Sequence, residues 1–306
     1  MLINLLLLVI GFVLLIRGAG AFVDGASALA HRFGIPEIII GLTVVAMGTS
    51  APELAVSVSS VLHGAGGIAI GNALGSNIVN ILLVLGMSAL ITSLNVQQKT
   101  IRYEIPFLIF VTIVLMWCGV EYGAINKFVS AILLSLFAVF LCYLYFDAKQ
   151  GKVDTEKTPE FSLTKIIIFL VLGLAALVFG SDLTVKSATN LANIFNVPNR
   201  IIGLTLVAFG TSLPELVTCV IAARKKHTDL IIGNIIGSNI FNLLFVLGIT
   251  GLVAPMGFGY SFVIDAAISV MITIVLWLFA IYRQQLARSA GILFLICYIG
   301  YLAYLF

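Results

Sequence analysis

The sequence predicts an all-α membrane protein. It should have about ten transmembrane helices in two inverted five-helix repeats, with broken helices at the centre. Three observations carry this. Of 306 residues, 61% are hydrophobic and only 9% are charged, against roughly 25% charged in a soluble domain. Two distant stretches are near-copies: Gly41–Ser57 (GLTVVAMGTSAPELAVS) and Gly203–Cys219 (GLTLVAFGTSLPELVTC) share 11 of 17 positions. A second pair, Gly71–Gly86 (GNALGSNIVNILLVLG) and Gly233–Gly248 (GNIIGSNIFNLLFVLG), shares 11 of 16 at the same offset of 162 residues.

Ten apolar runs are long enough to span a bilayer, which takes about 20 residues. They are Leu2–Ala30, Ile38–Leu62, Gly67–Ile91, Ile105–Val120, Ala124–Phe146, Leu163–Ala192, Ile201–Ala222, Leu230–Val253, Phe262–Tyr282 and Gly291–Phe306. The first has no basic residue before it and no small-residue cleavage site, so it reads as a span rather than a signal peptide. Residues 1–146 form the first repeat, 147–162 a short hydrophilic cytoplasmic linker, and 163–306 the second repeat. Each repeat has an odd number of spans, so the second must enter the membrane upside down. Loop charge agrees. Residues 61–70 contain no Lys or Arg, whereas their partners 223–232 contain Arg224, Lys225 and Lys226. Beyond the motifs, Thr112–Leu115 (TIVL) matches Thr273–Leu276 at offset 161, which pairs Glu104 with Asp265.

Twelve of the 16 Lys and Arg residues fall in alternate loops or at their edges. By the positive-inside rule those loops are cytoplasmic, and both termini of this multi-pass cell-membrane protein are extracellular. No basic patch points to nucleic acid, and no obligate protein partner is evident; the lipid bilayer is the expected surrounding. The isolated cysteines Cys118, Cys142, Cys219 and Cys297 show neither metal spacing nor a disulfide framework. No His-rich metal pattern or Ser–His pair at helix depth points to an enzyme.

Each near-copy places one glutamate, Glu53 or Glu215, inside an apolar run. An intramembrane carboxylate is costly and needs a partner, so it marks a functional site. Pro52 lacks an N–H and clashes with the carbonyl four residues back, so the helix should break near Gly48, and Pro214 repeats this near Gly210. A break frees carbonyls, and carbonyls beside a carboxylate suit a hard cation. An alternative is that Ser50-x-x-Glu53 and Ser212-x-x-Glu215 are capping boxes that only satisfy a half-helix. Asn72, Ser76 and Asn80, and likewise Asn234, Ser238 and Asn242, follow i, i+4, i+8 spacing and form one polar stripe. Ser76, Asn80, Ser238 and Asn242 would supply neutral oxygens to a cation; Asn72, Asn77, Asn234 and Asn239 read as glue between helices. Glu104 and Asp265 read as nearer the interfaces, and His31, His63 and His227 as solvated.

At these motifs the chain resembles the calcium/cation antiporter superfamily, specifically its sodium/calcium exchanger branch. GTSAPE with GSNIVN and GTSLPE with GSNIFN carry the resemblance, which covers nearly the whole chain. It implies ion ligands from Thr49, Ser50, Glu53, Ser76 and Asn80, and from Thr211, Ser212, Glu215, Ser238 and Asn242. It also implies carbonyl ligands near Ala46 and Ala208, and a first and sixth span that slide. Potassium-dependent relatives typically carry Asp where this chain has Asn242, and proton/calcium exchangers usually replace the GTSxPE pattern. The expected function is therefore a secondary active antiporter exchanging Ca2+ for Na+ by alternating access, with no cofactor. A proton-driven Ca2+ exchanger is the alternative. A channel fits less well, since its signature would be a repeated pore loop.

Overall fold

A computed structural model describes residues 1–150, 161–195 and 208–305. Helices dominate, as the apolar runs predict. Helix α1 is Leu2–Phe33, and a bent pair follows, α2 (Glu37–Thr49) and α3 (Ala51–Leu62). Next come α4 (Gly66–Ile91), α5 (Thr100–Tyr122) and α6 (Lys127–Gln150). The second half contributes α7 (Leu163–Ile194), then α8 (Ala208–Thr211) and α9 (Leu213–Arg224). It ends with α10 (Thr228–Val253), α11 (Tyr260–Arg283) and α12 (Arg288–Leu305).

Among the described residues, eight helices are long and apolar enough to cross a membrane, and the bent pair makes nine. The tenth expected span, Ile201–Ala222, begins in residues outside the described set. The expected linker needs a boundary change, because Asp147–Gln150 continue α6, where Asp147 pairs with Lys99. Residues 151–160 lie outside the described set. Ser162 caps α7 by accepting the Lys165 N–H at 3.3 Å.

Local chemistry sets the ends. Gly34 adopts φ 63°, its N–H meets the Ala30 and His31 carbonyls, and Pro36 follows, so α1 stops there. The break expected from Pro52 is present: α2 and α3 meet at Ser50 with a 43° bend. Ser50 has φ −86°, ψ 10° and Ser212 has φ −86°, ψ 4°, so the second copy breaks in the same way. Wide π-helical turns at Asn80–Leu85 and Asn242–Val246 interrupt α4 and α10 at equivalent places. No sequence pattern predicts these; such turns often mark functional sites.

Helix α10 forms the centre, with 94% of its most apolar window buried, against 22% for α1. At 32 residues, α1 and α7 each reach about 48 Å at 1.5 Å per residue. They lie antiparallel against each other in backbone contact. A Cβ on Gly18 would sit 2.9 Å from the Gly173 carbonyl, and one on Gly173 would sit 2.7 Å from the Phe22 nitrogen. Small residues permit such an approach in a membrane.

Two short strand pairs join the halves. Strand β1 (Leu94–Asn95) pairs with β4 (Gln285–Leu286), and β2 (Ala124–Ile125) pairs with β3 (Met256–Gly257), both antiparallel. The backbone extends each pair by one bond, Val96 N–H to Gln284 and Phe258 N–H to Gly123, both at 2.9 Å. Gly66, at the start of α4, also lies against Met256. Helix α4 therefore runs from the face holding β2 and β3 to the face holding β1 and β4. Its counterpart α10 runs the opposite way, from His227 beside Glu37 to Met256.

Several charges differ from the sequence expectation. Glu104, near the start of α5, is buried within the protein, where the Tyr143 hydroxyl donates to it at 2.6 Å. His31 and His227 are not simply solvated: both face Glu37, at 3.8 and 3.1 Å, and Ser27 donates to the same carboxylate. Asp182 and Lys186 pair at 2.8 Å across one turn, as their i, i+4 spacing predicts.

Candidate functional site

The helix break at Ser50 turns its hydroxyl away from its own helix. Neither Ser50 nor Ser212 makes a side-chain cap bond, so the capping-box geometry is not formed. Ser50 Oγ instead donates to Glu215 Oε1 at 2.8 Å, across the halves. Ser76 Oγ, on α4, donates to Glu53 Oε1 at 3.4 Å. Both glutamates are fully buried, as are Thr49, Ser50 and Ser212.

The polar stripes of α4 and α10 meet face to face. The Asn77 and Asn239 amides each donate to the other's backbone carbonyl, at 3.0 and 3.2 Å. Asn80 donates to Asn239 Oδ1 at 3.0 Å, and Asn242 donates to Asn77 Oδ1 at 3.3 Å. One turn back, the Thr49 hydroxyl lies 3.2 Å from Asn234 Oδ1 and that of Thr211 lies 3.3 Å from Asn72 Oδ1. Asn72 also ties α4 to α3 through the Glu53 carbonyl at 3.2 Å and Ser57 Oγ at 3.1 Å. In the second half Asn234 donates to Cys219 Sγ at 3.3 Å, because Cys219 stands where the first half has Ser57. The four asparagines read as glue thus do join helices, and two of them, Asn77 and Asn239, also fix the orientation of Asn242 and Asn80.

The Ala46 carbonyl, which the resemblance implies as a ligand, already has donors. It accepts the Ser50 N–H at 3.0 Å and the Ser238 hydroxyl at 3.4 Å. Helix α2 runs on to Thr49, so the missing Pro52 N–H bears on a carbonyl later in the turn, at Gly48. Ala208 opens α8, and the residues before it lie outside the described set.

Among the described residues, five buried oxygens of this network have no hydrogen-bond partner: Glu53 Oε2, Glu215 Oε2, Asn80 Oδ1, Asn242 Oδ1 and Ser212 Oγ. Leaving such an atom unpaired costs about 1–3 kcal/mol, and more for a charged group. Four of them form two equivalent pairs, one carboxylate and one amide oxygen from each half. Thr218 Oγ1, one turn beyond Glu215, is also buried without a partner. Sequence reading missed it, since the first copy has Val56 there. All-oxygen donors including two carboxylates fit a hard cation better than a soft metal.

A family model described as sodium/calcium exchanger protein matches residues 3–146 and 165–306. The chain belongs to the sodium/calcium exchanger family. The putative antiporter CaxA of Alkalimonas amylolytica is 40% identical, with 100% of this chain and 99% of CaxA covered. Sodium/calcium exchanger MaX1 of Methanosarcina acetivorans is 31% identical, with 99% of each chain covered. The solved structure of the sodium-calcium exchanger NCX_Mj soaked with zero Na+ and Ca2+ has a TM-score of 0.88 at 33% identity, with 100% of this chain and 99% of that chain covered. This exchanger is a multi-pass membrane transporter rather than an enzyme, and its activity is exchange of Ca2+ for another cation.

Proposed function

We propose that this exchanger is a secondary active antiporter that moves Ca2+ against Na+ by alternating access around the Glu53–Glu215 network. One observation carries the reading: each buried carboxylate and each paired amide keeps one oxygen without a donor among the described residues. Two carboxylates neutralise one Ca2+, and Asn80, Asn242 and Ser212 add neutral oxygens toward the 6–8 that Ca2+ takes. Ser50 and Ser76 hold the other carboxylate oxygens in place. Thr49 and Thr211, Ser238, and the Ala46 and Ala208 carbonyls complete the proposed ligand set. Once Ca2+ leaves, two ionised carboxylates in a dry interior are costly. Entry of Na+ into the emptied site removes that cost, which couples the two fluxes.

Ca2+ uptake into K+-free vesicles tests the counter-ion. An outward Na+ gradient is expected to drive 45Ca2+ uptake without K+. Uptake driven by a proton gradient and indifferent to Na+ would replace Na+ by protons in this scheme.

The proposal includes two inverted repeats, residues 1–146 and 163–306, with both termini extracellular. The crossed strand pairs and the opposed directions of α4 and α10 support it. Lys225 is then cytoplasmic and His63 extracellular. Cysteines introduced singly at these positions should be labelled by an impermeant maleimide only at 63 in intact cells. Equal labelling of both would rule out the inversion.

A further inference from the structure

The two halves are not equally filled on their lipid sides. In the first half, Phe107 on α5 stacks on Phe140 of α6, with ring centroids 5.4 Å apart and planes 7° from parallel. Nearby, Tyr143 closes onto Glu104 at 2.6 Å. At the offset of 161, Ile268 stands for Phe107, Tyr301 for Phe140, Tyr304 for Tyr143 and Asp265 for Glu104. Ile268 cannot fill the space of a phenyl ring, and Cys297 replaces the larger Leu136. Phe294 is larger than its counterpart Leu133, but its ring is turned edge-on against Phe279. A groove of about 380 Å³ opens between α4, α11 and α12, lined by Leu82, Ile268, Ile272, Cys297, Tyr301 and Tyr304 among others. That volume lies within the range of ligand pockets, about 300–1,000 Å³.

The groove lining is almost wholly apolar, and Asp265 stands just outside it, one turn before Ile268. Asp265 precedes Ile268 by three residues and Ile272 by seven, so it lies on the helix face that lines the groove. It is half-buried, and among the described residues no basic side chain pairs with it. Tyr304 is 57% exposed and makes no counterpart of the Tyr143–Glu104 bond. The mouth lies where α11 begins and α12 ends, and the floor reaches Leu82, in the π-helical turn that begins at Asn80.

We propose that this groove binds one acyl chain of an ethanolamine phospholipid, with the headgroup amine at Asp265. An apolar channel opening to lipid suits an alkyl chain, and a lone carboxylate at its mouth suits a cation. Of the zwitterionic headgroups, ethanolamine carries N–H donors that a carboxylate can accept, whereas choline carries none.

Native mass spectrometry of delipidated protein, given ethanolamine or choline phospholipid of identical chains, tests this. Wild type is expected to retain ethanolamine lipid about fivefold better, the scale of one partly exposed ion pair. Asp265→Asn is expected to hold both lipids equally. Ile268→Phe restores the ring of the first half and is expected to lose both. If it fails to fold, Cys297→Leu, which copies Leu136, is read in its place. Equal retention of the two lipids by wild type, or undiminished retention in the filled variant, would overturn the proposal.

Discussion

Glu53→Gln and Glu215→Gln are each expected to reduce Ca2+ exchange by about 100-fold or more while leaving a folded, membrane-inserted protein. Gln has the shape of Glu and keeps an acceptor for the hydroxyl that each carboxylate now holds, Ser76 for Glu53 and Ser50 for Glu215. It removes one of the two charges that would balance a divalent ion. Taking away one partner of a buried charge pair costs about 3–5 kcal/mol, and every 1.4 kcal/mol is about tenfold in affinity. Folding should not suffer, since an unpartnered buried carboxylate oxygen is itself a cost to the ion-free protein. Uptake of 45Ca2+ reads the first effect and thermal unfolding in detergent the second. Near-normal transport by either variant would remove that glutamate from the ion site.

Gly237→Val is expected to destabilise the protein by about 3 kcal/mol, at the upper end of overpacking costs, and to abolish transport. Gly237 lies on α10 where α2 crosses it. A Cβ there would sit 2.7 Å from both Leu42 Cα and Leu42 O, and 2.8 Å from Ala46 Cβ. Two of those atoms are backbone, so the strain cannot be relieved by a side-chain rotation. The helix must move, and it carries Thr49 and Ser50 with it. Gly300→Ala is the control, because nothing lies within 4 Å of its added methyl group. Thermal unfolding of the two variants, with flux measured alongside, separates the effects. A Gly237→Val protein as stable as wild type would show that α2 and α10 are not locked at this crossing.

The helices and the break were legible because they depend on local chemistry. Apolar length gave the spans, Gly34 with Pro36 ends α1, and Pro52 gave the bend at Ser50. The duplicated motifs also led to Ser50, Glu53, Ser76, Asn80 and their second-half partners, all of which the fold buries. What stayed hidden depends on partners far along the chain. Ser50-x-x-Glu53 has two readings in sequence, and the choice between them lies with Glu215, a residue 165 positions away. The burial of Glu104 depends on Tyr143, and the surroundings of His227 on Glu37. The Ala46 carbonyl, a ligand implied only by the resemblance, accepts the Ser238 hydroxyl from 192 positions away, which no local pattern reveals. The π-helical turns after Asn80 and Asn242 have no residue signature of their own.

The exchange of bonds between Asn77 and Asn239 has a consequence for how the protein is made. While the ribosome is still producing the second half, the first is already in the bilayer, and Asn77, Asn80 and the edge of β1 have no partners yet. Such groups are costly in hydrocarbon, so the early half is an intermediate that waits. The amide bonds and strand pairs that join the two copies are made only when both are present. The duplication that is so visible in the sequence does not make the copies independent: Asn77 and Asn239 find their amide partners only in each other.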